Sequence, residues 1–203
     1  TRFKDDNWRD TIEAKWKVGE HDRVRFRFIH SFHAGGTPTA SSMKSFAHSR
    51  NNYHWQHAVH ESLYFLGEGE ERILNMPELV TEHHQLPKDR SSYMTLLEQE
   101  CRGATCTKRH VFWLLREYTA HKKWEQVIEW TDKYVKYPDL WHVEHATALK
   151  CKAKALSELG KSEEALVVHM ESIARSPGTR EIWMDLAWYH YTRKQWLQAY
   201  AAL

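Results

Sequence analysis

The chain has 203 residues, with 29 Lys and Arg against 27 Asp and Glu, a formal net charge of +2. That near balance excludes the strong field that selects nucleic acid or an anionic membrane, and no apolar run approaches the roughly 18 residues of a membrane span. Three cysteines, an odd number, argue against a disulfide framework and point to a reducing, cytoplasmic setting.

Trp8, Ile12 and Trp16 recur every four residues, one face of a helix opened by Trp8-Arg9. Asp5 and Asp6 before it solvate a turn. Arg23-Val24-Arg25-Phe26-Arg27-Phe28-Ile29 alternates with period two. It predicts a strand with Val24, Phe26 and Phe28 inward and the arginines on a solvated face. Ser31 to Ser42, with Gly35-Gly36 and Pro38, reads as a mobile loop. Tyr53-His54-Trp55 enters a strand, and Ala58 to Phe65 reads as a strand buried on both faces. His60 and Glu61 are neighbours there, so both reach one site only if the backbone bends or a helix starts. An acid such as Glu61 inside an apolar segment is costly unless it is paired or functional. The apolar run Ile73 to Val80 is closed by His83-His84, of which strand geometry sends only one toward a given cleft. Two imidazole-bearing strand ends with a carboxylate between them make a candidate metal-assisted site. Cys101, Cys106 and His110 also suggest a metal, but the Cys spacing is wider than a zinc knuckle and a fourth ligand is missing.

Beyond residue 100 the sequence is helical and repeats. Lys123-Trp124-Glu125-Gln126-Val127 aligns with Lys161-Ser162-Glu163-Glu164-Ala165 and, after a slip of one residue, with Lys194 to Ala199. Val127 and Ala165 lie 38 residues apart, Ala165 and Ala199 lie 34, and Pro138 and Pro177 lie 39. These periods equal or slightly exceed that of the tetratricopeptide repeat. Gly160 ends one helix and Ser162 is placed to cap the next, with Glu163 and Glu164 in its positive first turn. Ala148, Cys151, Ala155 and Leu159 form one apolar face, and Trp183, Leu186, Ala187 and Tyr191 another. Trp141, Trp183, Trp188 and Trp196 read as packing residues. Stacked hairpins leave a concave face, which either binds a protein partner or buttresses the rest of the chain.

Trp8-Arg9, Tyr53-His54-Trp55, His60-Glu61 and His83-His84, in that order, resemble the second half of the catalytic domain of family-2 glycosyltransferases. The likeness covers residues 1–100, and residues 101–203 follow as the tetratricopeptide-like region that is known to succeed such domains. The implied fold class is α/β, a partial GT-A domain without its nucleotide-binding half, plus all-α hairpins truncated at Leu203. The resemblance implies metal-dependent, inverting transfer of a sugar from a nucleotide-sugar donor to an acceptor, with Mn or Mg as the divalent metal. Glu61 matches the base. One of His83 and His84 matches the later metal-holding His, its Asp-x-Asp partner being expected just before Thr1. His60 orients Glu61 or contacts the diphosphate, and Tyr53 and Trp55 belong to the acceptor or donor cleft. Two alternatives stand beside this one. The first is a helical-repeat binding scaffold with a degenerate catalytic half. The second is a metal-dependent hydrolase using the same His-Glu and His-His residues.

Overall fold

The computed structural model of the protein describes residues 1–84, 91–104 and 106–203. The chain forms two compact units, Thr1–Asp89 and Arg90–Leu203. The first holds β1 (Arg2–Phe3), α1 (Trp8–Lys15), β2 (Arg23–Phe32), β3 (Pro38–His48), β4 (Tyr53–Gln56), β5 (Ser62–Phe65) and β6 (Ile73–Glu82). Its mixed sheet runs β1-β6-β2-β3, with β6 and β2 parallel and the other neighbours antiparallel. The period-two reading of β2 holds: Val24, Phe26 and Phe28 are buried, while Arg25 and Arg27 are exposed. Trp8, Ile12 and Trp16 pack on the core of Val24, Phe26, Met76 and Leu79. Burial of that apolar stripe, more than helix propensity, stabilises so short a helix.

Two expectations fail here. Ser31 to Ser42 is no loop: β2 continues to Phe32 and β3 begins at Pro38. Only 33–37 turns, closed by His33 N donating to Thr37 O at 2.8 Å, with Gly36 at φ 80°. The polar composition reflects an edge strand, whose exposed face carries Ser, Thr and Lys. Nor is Ala58 to Phe65 one buried strand. It is a turn followed by the four residues of β5, paired among the described residues only with β4.

The second unit contains α2 (Ser91–Arg102), α3 (Lys108–Ala120), α4 (Trp124–Tyr134), α5 (His142–Glu158), α6 (Ser162–Arg175), α7 (Arg180–Thr192) and α8 (Trp196–Ala201). Three linkers, 121–123, 159–161 and 193–195, share one geometry. Their middle residues, Lys122, Gly160 and Lys194, have φ of 56°, 78° and 59°. The following residue donates its N–H back five positions, Lys123 to Tyr118, Lys161 to Leu156 and Gln195 to His190. Each linker thus satisfies carbonyls the preceding helix leaves open. Val127, Ala165 and Ala199, four residues past each linker, are buried. The N-cap of α6 is Lys161 rather than Ser162, and the Ser162 hydroxyl accepts from Arg193 Nη2 at 3.0 Å. Trp141, Trp188 and Trp196 are exposed, and only Trp183 packs against the core. For Trp188 the cause is the register of α7: Ile182, Leu186 and Tyr189 face the core, which leaves Met184, Trp188 and Tyr191 on the opposite stripe. Among the described residues no helix is long and apolar enough to cross a membrane.

Candidate functional site

β4 and β5 pair antiparallel, Tyr53 opposite Phe65 and Gln56 opposite Ser62, so residues 57–61 form the connecting loop. His57 and His60 adopt φ of 73° and 57°. Left-handed backbone at a residue other than glycine costs on the order of 1 kcal/mol, and His is among the residues that enter it most readily. The loop is held by Val59, which is buried, and by His57, edge-on to Tyr64 at 6.2 Å. The backbone therefore bends at His60, just before Glu61. Glu61 itself is exposed, contrary to an acid inside an apolar segment, because the turn carries it out between buried Val59 and half-buried Leu63. Its interest therefore rests on accessibility, not on the cost of burial.

Trp55 keeps 63% of its surface exposed, with His48 edge-on at 6.3 Å. Tyr53 is packed away. Its ring lies under the Arg23 guanidinium at 5.0 Å, and its hydroxyl donates to Glu71, which also pairs with Arg23 at 2.6 Å. Burial, then the Glu71 hydrogen bond, pushes the Tyr53 hydroxyl up to about 12. Nearby, buried Asp22 accepts from the backbone, Nε and Nη2 of Arg72, which holds its carboxyl well below the usual range.

His83 and His84 follow β6. Glu82 lies opposite Ile29, six positions along β2 from Arg23, or about 20 Å at ~3.3 Å per residue. The His pair and the Tyr53 end of the hairpin therefore occupy opposite ends of β2. His83 stacks on Phe28 at 5.6 Å, with Nδ1 held by Thr1 Oγ1 at 2.8 Å. His84 stacks on Phe32 at 5.1 Å, and its Nε2 meets Glu82 Oε2 at 3.0 Å. The hydrogen bond from His84 lowers the pKa of Glu82. Among the described residues no group of three or more His, Cys, Asp or Glu converges as a metal site. That holds for Cys101, Cys106 and His110 as well: His110 Nδ1 accepts from the Thr107 backbone N–H at 3.1 Å in the capping box of α3.

Sequence reasoning passed over two features. His30 bonds Ser42 Oγ through Nε2 at 2.7 Å and sits edge-on to Phe28 at 4.8 Å. Burial, with the nearby charges of Lys44 and His83, lowers its pKa. Extending the β2 alternation past Ile29 would have placed it. The second feature is a groove of about 570 Å³ in the helical unit, lined by Lys150, Lys154, His169, Asp185, Trp188 and Arg193 among others. Lys150 pairs with Asp185 at 3.0 Å, and Arg193 is held by Ser157 and Ser162. Buried His169 has no hydrogen-bond partner for Nδ1 among the described residues, and burial pushes its pKa down to about 4. No sequence period marks this groove, because its residues come from three different helices. The chain matches no protein-family model and no curated protein.

Proposed function

We propose that this chain is the acceptor-side part of a GT-A-type, inverting glycosyltransferase, with tetratricopeptide-like hairpins beyond it. The observation that carries the reading is the 57–61 loop. Two left-handed histidines there hold an exposed carboxylate, Glu61, next to a hairpin whose Trp55 ring is open. Backbone held in a costly region gathers at functional sites, where the surroundings over-determine it. An exposed indole face is suited to stacking on a sugar ring. In the proposed reaction Glu61 takes the proton of an acceptor hydroxyl. That oxygen bonds to the anomeric carbon as the carbon–oxygen bond to the nucleoside diphosphate breaks on the opposite face. His60, adjacent in the turn, orients Glu61.

A divalent metal, Mn or Mg, would supply neutralisation of the departing diphosphate. The donors this chain offers are one imidazole of His83 and His84, with His84 favoured by the ionised Glu82 carboxylate at 3.0 Å. A His-carboxylate pair suits such a cation in kind. It falls short in number and lies at the opposite end of β2 from Tyr53, so among the described residues these donors alone do not fit the metal. The odd number of cysteines, three, supports a cytoplasmic setting.

The test uses the full protein with Mn and a panel of nucleotide-sugars, following release of nucleoside diphosphate. Glu61→Gln is nearly isosteric and removes only the base. It should lower kcat by about 100-fold or more while donor binding by calorimetry stays near normal. Near-normal turnover of that variant, or no release from any donor by the wild type, would overturn the reading.

The groove in the helical unit favours a second reading, a protein-binding scaffold. Its cations Lys150, Lys154 and Arg193 outnumber Asp185 and Glu158, which suits an acidic partner segment. Binding of such a segment that persists without any transferase activity would favour the scaffold.

A further inference from the structure

The helical unit holds a pair of thiols that the proposed function does not use. Cys101 lies in the last turn of α2, and Cys106 lies just ahead of Thr107, the N-cap of α3. Between the two helices Gly103 N donates to Glu100 O at 3.3 Å and Cys106 N to Gly103 O at 3.4 Å. The two Sγ atoms lie 2.9 Å apart. A covalent S–S bond needs about 2.05 Å, so closure moves the sulfurs by less than about 1 Å. Both thiols are half-buried. They line a groove of about 430 Å³ with Trp130, Lys133, Lys136 and Tyr137, so a small reagent has access from one side. The lysines favour an anionic oxidant there. Cys151, in α5, is buried.

We propose that Cys101 and Cys106 are a redox modification site, a dithiol that closes to an intrachain disulfide by exchange with a small-molecule disulfide such as oxidised glutathione. Cys106 opens the reaction, because burial holds the Cys101 thiol in its protonated form. The Cys106 thiolate attacks one glutathione sulfur, an S–S bond breaks, and one glutathione leaves as thiolate and takes a proton. Cys101 then attacks Cys106 Sγ in the mixed disulfide and expels the second glutathione. The protein loses two electrons and two protons, and one glutathione disulfide becomes two glutathiones. The product ties the end of α2 to the start of α3.

The test equilibrates the full chain across a series of reduced-to-oxidised glutathione ratios, blocks free thiols with an alkylating reagent, and counts adducts by intact mass and peptide mapping. The expected result is a reversible step from three alkylated cysteines to one, Cys151, with a Cys101–Cys106 cross-linked peptide and no covalent dimer. In Cys101→Ser the step should stop at a glutathione mixed disulfide on Cys106, which shows the resolving role without requiring that the variant be active. Three adducts at every ratio, oxidation that includes Cys151, or a disulfide that no excess of reduced glutathione reopens would each overturn the proposal.

Discussion

Tyr53 and His169 show how far single residues can be read. The Tyr53 hydroxyl donates to Glu71 within a junction that also holds Arg23. Tyr53→Phe should therefore destabilise the sheet unit by about 1.5–3 kcal/mol, the usual size of a hydrogen bond to a charged group, as measured by urea unfolding. An unchanged stability with weakened ligand binding would instead make Tyr53 a cleft residue, as the family resemblance implies. For His169 the sign follows from its depressed pKa. The folded state holds it neutral down to about pH 4, whereas the unfolded chain protonates it near 6.5. The unfolded state binds more protons between those values, so stability should fall as pH drops from 6.5 to 4, by about 3 kcal/mol, and level off below. A His169→Gln variant should lose that part of the slope. The period-two run from Arg23 and the four-residue spacing of Trp8, Ile12 and Trp16 were legible because side-chain direction alone sets them. The exposure of Glu61 was not. It depends on left-handed backbone at His57 and His60, which no hydrophobic pattern reports.

At the scale of elements, the three helix linkers offer a controlled comparison. Lys122, Gly160 and Lys194 occupy equivalent left-handed positions, and only the middle one is the residue that does so without cost. Lys122→Gly and Lys194→Gly should each stabilise the helical unit by about 0.5–1 kcal/mol, and Gly160→Ala should destabilise it by about 1 kcal/mol. Thermal unfolding followed by helix ellipticity reads all three, and a destabilising Lys194→Gly would mean that its side chain, not its backbone, holds the linker. The positions of the linkers were legible from Gly160 and the aligned Lys and Ala positions. The burial of the tryptophans was not. Helix α7 carries two apolar stripes, and a sequence cannot say that Ile182, Leu186 and Tyr189 win the core over Met184, Trp188 and Tyr191. Edge strand β3 was missed for the converse reason, since a polar strand on a sheet edge has the composition of a loop.

For the whole molecule, each unit carries a core of its own: Val24, Phe26, Met76 and Leu79 in one, and Ala146, Leu156, Ala165, Ile173, Ile182 and Leu186 in the other. Residues 90–203 produced alone should therefore keep their helical ellipticity and the pH 6.5-to-4 stability slope of His169. Loss of either would mean that the helical unit borrows stability from the sheet. The order of pairing in that sheet has a further consequence, in time. Within the helical unit the main packing partners follow one another along the chain, α2 with α3, α3 with α4, α4 with α5, and α5 with α6. In the sheet, β2 must wait for β6, its parallel neighbour, until β3, β4 and β5 have all been threaded between them. Closing so long a loop costs entropy before any contact repays it. The helices should form early and the sheet late. During that interval the unpaired side of β2, with Val24, Phe26 and Phe28, is the part of the newborn chain most open to the wrong neighbour.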